Sequence, residues 1–282
     1  MSLAWSPKTL VEAREALARG ATKVAGATDL LVIDHATGRQ HESVLNVLGI
    51  AELQGIRVEA DQLSIGAAST FTQIRQSPEV AKHAPLLAHA AATIGAAQIQ
   101  NRATLGGNIA NASPAGDSLP ALLALGAMIM VSGTREQRLV PYNAFHTGYR
   151  KSVLGPDELI ERVLIPLPSP AVQVFRKVGT RAAQAISKVV VGFASDRLDR
   201  HVLANVRLAM GSVAPVPVRL HEVEVLIEDN PLTAELADRA AALVEKTIWP
   251  IDDVRSTAEY RRHVAGQVVR RLLLDLLEAP RA

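Results

Sequence analysis

The chain contains no cysteine. That absence excludes a disulfide scaffold, a thiolate zinc site, a cysteine-ligated iron–sulfur cluster and a cysteine nucleophile. It also fits a reducing cytoplasm, the expected location. Aromatic residues make up only 3% of the sequence, so the core must be built from Ala, Leu, Val and Ile. Few rings are left to stack on bases. Neither charge sign dominates: 30 Lys and Arg stand against 28 Asp and Glu, a formal charge of +2. Bulk electrostatics therefore gives no argument for nucleic acid. The longest apolar stretch, residues 121–131 with Gly126 inside it, is too short for a membrane span of about 20 residues. The first residues lack a basic segment followed by an apolar one, so no secretory signal is expected.

What is present is an ordinary globular composition. The 282 residues are 48% hydrophobic and 21% charged, enough for one large domain or two to three small ones. Ser6 and Pro7 read as N-cap and first position of a helix carrying Leu10, Ala13 and Leu17, with Gly20 as its stop. A short strand at Lys23-Val24-Ala25 precedes a turn and a second helix, and Ser43 begins another strand. Residues 70–93 are helical in pattern, broken near Pro78 and Pro85; residues 95–117 read as loop-rich. Three prolines in residues 166–170 predict a boundary. Beyond it, residues 172–178, 189–195 and 203–210 read as three antiparallel strands, followed by helices at 218–227, 233–244 and 257–277. The expected class is α+β: residues 1–168 as two α/β subdomains (about 1–56 and 57–168), then a C-terminal domain over 171–282 with a three-stranded antiparallel sheet and helices.

Familiar catalytic motifs are missing. There is no Gly-x-Gly-x-x-Gly and no Gly-Lys dipeptide, which removes the usual Rossmann and P-loop sites. The eight histidines are scattered without metal-ligand spacing. Ser69, Ser113 and Ser118 lack a nucleophile-elbow context. Any chemistry is therefore expected on a bound cofactor. Two segments could hold one. Residues 24–30 (Val-Ala-Gly-Ala-Thr-Asp-Leu) place small residues between a strand and a helix, where successive N–H groups favour an anion such as a pyrophosphate. Thr28 or Asp29 could serve as N-cap. Residues 104–117 combine the pair Gly106-Gly107 with Asn108 and Asn111, yet carry apolar Leu105 and Ile109. A polar but half-apolar loop suits a buried ligand. Read alone, each segment is also compatible with a structured turn.

Together the segments resemble one family. Thr-Leu-Gly-Gly-Asn-Ile-Ala-Asn-Ala-Ser-Pro-Ala-Gly-Asp (104–117) resembles the signature loop of the FAD-binding subunits of molybdenum hydroxylases, the xanthine dehydrogenase and carbon monoxide dehydrogenase type. Ala-Gly-Ala-Thr-Asp-Leu (25–30) looks like its first pyrophosphate loop, and residues 175–188 like the start of its C-terminal domain. The resemblance spans essentially the whole chain. It implies FAD extended in a cleft between subdomains. Backbone groups of Ala25, Gly26, Ala27, Thr28, Asp29 and Leu30 would meet the pyrophosphate. Thr104, Gly106, Gly107, Asn108 and Asn111 would form the second loop around phosphate or ribityl oxygens. Asp117 matches an acidic position at the cofactor, Ile94 and Ile160 apolar positions lining flavin or adenine, and Lys177 a basic position nearby. The Asp29 carboxylate would turn to a ribose hydroxyl or to the helix start, away from phosphate. Ala27 departs from relatives that carry Gly or Asn there. Residues 176–188 look closer to the xanthine-dehydrogenase-like bacterial subunits than to the carbon monoxide ones.

The implied role is an electron-transfer subunit without catalytic residues or a metal of its own. [2Fe–2S] clusters and molybdopterin would sit in partner subunits, an iron–sulfur subunit and a large molybdopterin-binding subunit, with electrons passing through FAD to NAD+ or another acceptor. Two other readings stay open: a stand-alone FAD oxidoreductase acting on a small molecule, and a scaffold that has lost its flavin.

Overall fold

The computed structural model describes residues 3–199 and 201–279. The chain opens with β1 (Leu3–Trp5), α1 (Leu10–Ala18), β2 (Thr22–Val24), α2 (Leu30–Thr37) and β3 (Ser43–Asn46). Both β1 and β2 pair in parallel with β3, giving the order β1-β3-β2. Helix α1 starts later than the sequence suggests. Thr9, not Ser6, caps it, accepting from the Glu12 backbone N–H. The Pro7–Lys8 backbone is committed elsewhere: Lys8 O accepts from Ala51 N at 2.8 Å, and Gly49 lies against Pro7 O.

The second unit contains β4 (Ile56–Glu59), β5 (Gln62–Gly66), α3 (Phe71–Gln76), α4 (Pro78–His83), α5 (Pro85–Thr93), α6 (Ala97–Gln100), α7 (Leu105–Asn111), α8 (Ser118–Ala124), β6 (Met128–Gly133), β7 (Gln137–Pro141), the small hairpin β8 (His146–Gly148) and β9 (Lys151–Ser152), and β10 (Glu158–Pro166). Its five-stranded antiparallel sheet runs β4-β5-β10-β6-β7. Pro78 and Pro85 occupy first helical turns, where a missing N–H costs nothing. Helices α3, α5 and α8 bury Phe71, Ile74, Leu86, Leu87, Leu119 and Leu122 in the core over this sheet. The segment expected to be loop-rich instead contains α6 and α7.

Beyond the proline cluster come β11 (Val172–Val178), β12 (Val189–Arg197), β13 (Leu203–Gly211), β14 (Val218–Arg219), α9 (His221–Ile227), α10 (Ala234–Thr247) and α11 (Ala258–Glu278). The sheet has four strands, β11-β12-β13-β14, rather than three. Residues 218–219, expected to open a helix, pair with Met210 and Ala209 instead, and the helix begins at His221. Helices α10 and α11 pack together and bury Leu236, Ala240, Val244, Val269, Leu272 and Leu273 against one face of the sheet. Gly192 and Gly211 let the other face approach α8: a Cβ on Gly192 would lie 2.7 Å from Pro120 O.

A half-buried histidine gives this fold a pH dependence. His146 contacts the Tyr142 hydroxyl through Nε2 at 3.1 Å, while its buried Nδ1 has no partner. Burial pushes its pKa down to about 4. The unfolded ring takes a proton near 6.5, so the unfolded state binds more protons between these values. Stability is therefore full above about pH 6.5 and falls as pH drops toward 4, by at most about 3 kcal/mol. Denaturant titrations at pH 7 and pH 4.5 should show a smaller acid loss in His146→Gln than in the wild type; equal losses would place the acid sensitivity elsewhere.

Candidate cofactor site

A large cleft of about 1070 Å³ runs between the two N-terminal units and reaches the C-terminal residues. Compact ligand pockets measure about 300–1,000 Å³, so this one suits an extended, dinucleotide-sized molecule. Fourteen of the fifteen expected site residues line it: Ala25, Gly26, Ala27, Thr28, Asp29, Leu30, Ile94, Thr104, Gly106, Gly107, Asn108, Asn111, Asp117 and Ile160. Lys177 stands behind the wall and acts through Asp117.

The first loop leaves the end of β2 and enters α2. Among the described residues, nothing is hydrogen-bonded to the backbone N–H groups of Gly26, Ala27, Thr28, Asp29 and Leu30. Five successive free N–H groups beside a cleft make an anion cradle. Ala27 has φ +61°, the left-handed region that favours glycine. Asp29 sits at the N-cap position without a side-chain cap and is exposed. Its carboxylate therefore does not serve the helix start.

The glycines differ in purpose. Gly26 is small because the second loop is already there: its Cβ would lie 1.9 Å from Arg102 O. Gly106 is pressed against Ala67, to whose O it donates at 2.8 Å. Neither glycine supplies unusual dihedral freedom, since neither has positive φ. Gly107 alone opens toward the cleft, with only Thr104 Oγ1 near its Cβ position. Gly26→Ala is thus expected to break the contact between the loops. Such a protein should melt lower and lose cofactor affinity, whereas Gly20→Ala, strained by φ +69° but far from any contact, should melt slightly lower and leave the affinity unchanged; calorimetry with cofactor titration reads both.

The second loop enters α7, and Thr104 is its N-cap: Oγ1 accepts from Gly107 N at 3.1 Å. Asn108 Oδ1 accepts from Ser118 Oγ at 2.7 Å, which fixes the amide and leaves Nδ2 unpaired among the described residues. The Asn111 side chain has no partner there either and lines the cleft. Asp117 ends the segment. Its carboxylate receives Lys177 Nζ at 2.5 Å and Ser187 Oγ at 2.8 Å. Burial pushes its pKa up, and Lys177 and Ser187 oppose that rise. Lys177 also donates to Thr93 O at 3.0 Å, so it ties β11 to the end of α5 beside Ile94. Ile160 lines the cleft beside a bulge in β10 between Ile160 and Arg162.

Several cleft residues escaped the sequence reading. Lys23 precedes the first loop and donates to Pro156 O; burial lowers its pKa, while Asp157 and Glu158 raise it. Ser187 lies inside the 175–188 motif but gave no separate signal. Tyr149 and Trp249, 63% and 54% exposed, offer rings at the cleft from β8–β9 and from the α10–α11 connection. Their placement depends on tertiary structure alone. Among the described residues no group of three or more His, Asp or Glu could hold a metal ion. No described helix is long and apolar enough to cross a membrane.

A cleft of this size, with an anion cradle on one wall and a polar loop on another, has the dimensions and donors to suit a dinucleotide-sized cofactor. Residues 2–168 match the family described as FAD binding domain in molybdopterin dehydrogenase, and residues 174–276 that described as CO dehydrogenase flavoprotein C-terminal domain. The chain belongs to this family of FAD-binding medium subunits of molybdenum hydroxylases. It is 33% identical over 278 residues to the xanthine dehydrogenase FAD-binding subunit of Escherichia coli O157:H7, covering 96% of this chain and 94% of that one. It is 30% identical to the nicotinate dehydrogenase FAD-subunit of Eubacterium barkeri, covering 97% and 95%. Among solved structures it superposes on carbon monoxide dehydrogenase from Hydrogenophaga pseudoflava with TM-score 0.90 and 28% identity, covering 96% and 95%.

Proposed function

We propose that this chain holds FAD in the cleft and passes electrons between partner subunits and a final acceptor. The observation that carries the reading is the row of five free N–H groups from Gly26 to Leu30, facing the second loop across a dinucleotide-sized cleft. The residues fit the group. Backbone atoms of Ala25, Gly26, Ala27, Thr28, Asp29 and Leu30 receive the pyrophosphate. The exposed Asp29 carboxylate is left for a ribose hydroxyl. Thr104, Gly107, Asn108 and Asn111 meet phosphate and ribityl oxygens, with Gly106 setting the backbone. Ile94 and Ile160 pack against the rings. Asp117, held by Lys177 and Ser187, supplies a fixed acceptor at one end.

When bound, FAD supplies the redox chemistry; the chain positions it, excludes water from its faces and tunes its potential. The expected electron source is the [2Fe–2S] clusters of an iron–sulfur subunit, fed from molybdopterin in a large subunit, and the sink is NAD+ or another acceptor. Relatives named as subunits or medium chains support the multi-subunit setting. The division at residues 166–170 into domains 1–168 and 171–282, and a cytoplasmic location, belong to the same proposal.

The test is an absorption spectrum of the purified chain, chromatography of the heat-released chromophore, then anaerobic mixing with reduced partner subunits. Bound FAD that is bleached by the partners is the expected result. FAD that accepts no electrons from them, or substrate turnover by the isolated chain, would overturn the electron-transfer role.

A further inference from the structure

The anion cradle runs into α2, and α2 is a helix without a core. None of its eight residues is buried. Leu31 and Val32 are 63% and 64% exposed. Leu30 and Ile33 line the cleft, and among the described residues no side chain of α2 joins a hydrophobic core. A helix this short is not stable on its own in water. Something other than apolar packing must fix the direction of its first turn.

One polar chain is placed to do so. His41 lies between α2 and β3. Its Nε2 meets Asp34 Oδ2 on α2 at 2.8 Å, and its Nδ1 meets Thr22 Oγ1 on β2 at 3.0 Å. A carboxylate only accepts, so Nε2 carries a proton; in the neutral ring Nδ1 then accepts from the Thr22 hydroxyl. The imidazole and the carboxylate are 12% and 13% exposed, so water competes little for their bond. Thr22 stands four residues before Gly26, and Asp34 four residues after Leu30. The chain therefore joins the two stems of the cradle, one on each side of its five free N–H groups. Asp34 also anchors the far end of α2: its carbonyl accepts from Gly38 N, and from Arg39 N at 3.1 Å.

By charge alone, a carboxylate this near works against a bound diphosphate. What Asp34 contributes there is the bond to His41. Its other oxygen, Oδ1, is buried without a partner. Thr22, Asp34 and His41 all stand outside the cleft lining, so they act on a ligand only through the backbone they hold.

We propose that His41 is a positioning residue for the diphosphate of the cofactor. Through Thr22 and Asp34 it sets the spacing between the end of β2 and the first turn of α2, and so the convergence of the cradle N–H groups. This rests on the cofactor reading above and adds what holds the cradle in shape.

The test titrates FAD, and ADP, which shares the adenosine and diphosphate but lacks the flavin, into the full flavin-free chain. Thermal melting of each variant sets an assay temperature at which it is folded. His41→Phe keeps a ring but makes neither bond. It is expected to weaken both ligands alike, about five- to thirtyfold, and to move the 31P resonances of bound FAD. Thr22→Val should weaken both in the same direction by less. Asp34→Asn keeps an acceptor for His41 and should hold the affinity at or above that of the wild type, whereas Asp34→Leu should lose it. A bridge that is merely structural would lower the melting temperature and leave both affinities and the 31P resonances in place; that result would overturn the proposal. A loss for FAD without one for ADP, or equal losses in Asp34→Asn and Asp34→Leu, would overturn it too. If His41→Phe does not fold, Thr22→Val and the two Asp34 variants decide. A wild-type chain that binds neither ligand would overturn the cofactor reading itself, and this role of His41 with it.

Discussion

Gly107→Asp should yield a folded chain with little or no flavin. Gly107 is the one glycine of the signature loop that opens on the cleft, and the only atom near its Cβ position is Thr104 Oγ1 at 2.9 Å. Thr104 Oγ1 must shift slightly, which strains its N-cap bond to Gly107 N but meets no backbone, so the fold should survive at a local cost of about 1 kcal/mol. Its carboxylate would then stand in the cleft among the groups assigned to phosphate and ribityl oxygens. At about 5 Å and an effective dielectric constant near 20, each pair of like unit charges repels by roughly 3 kcal/mol. Affinity for FAD should fall at least about a hundredfold. Gly107→Ala, which adds bulk without charge, should cost at most about tenfold. Flavin content per chain, measured with circular dichroism as the control for folding, checks both. A Gly107→Asp protein that keeps stoichiometric FAD would move the phosphate subsite away from α7.

The legible parts of this fold are those whose local signal agrees with their tertiary setting. Residues 172–178 and 189–195 are rich in Val, Phe and Ala, and strands form there, the second running on to Arg197. Pro78 and Pro85 punctuate three helices because proline is harmless only in a first turn. Where the two disagree, the sequence misleads. Helix α7 was hidden because Gly106 and Gly107 each cost about 1 kcal/mol in a helix, yet contact with Ala67 demands the first of them. Strand β4 (Ile-Arg-Val-Glu) was hidden because an edge strand need not be apolar; its Arg57 and Val58 are exposed. The two-residue β14 is too short to leave any periodicity.

The site follows the same division. Both loops could be found because each is a continuous run of special residues. The resemblance also named Asp117 and Lys177 singly, but not their pairing or Ser187, because that contact joins segments 60 and 70 residues apart. The meaning of Gly26 also needed coordinates. In the sequence it suggests close approach to a ligand; in the fold it permits close approach of Arg102, and so joins the two loops.

Arg162→Met should be the most destabilising single change away from the cleft surface. Arg162 is 4% exposed and lies on β10 just past the bulge that follows Ile160. Its Nε donates to Ser64 Oγ at 2.5 Å. Its Nη1 donates to Glu52 O and Gln54 O at 3.1 and 3.0 Å, and Nη2 to Gly55 O and Ser64 O at 3.1 and 3.3 Å. One guanidinium therefore clamps residues 52–55, the crossing between the N-terminal unit and the second sheet, onto β5 and β10. Methionine fills much of the volume but leaves these buried acceptors short of a donor. The loss should be on the order of 3–5 kcal/mol, a fall of roughly 10 °C in Tm for a chain of this size. The same crossing carries Leu53 into the cleft wall, and Leu53 O accepts from Ala68 N, so the defect should also loosen the cofactor. Saturating FAD binds the folded state alone and should restore part of the lost Tm. Scanning calorimetry with and without FAD separates the outcomes. A small loss of Tm would show that backbone pairing alone holds the crossing, and a large loss with the same FAD-induced rise as the wild type would show that the clamp serves the core and not the cleft.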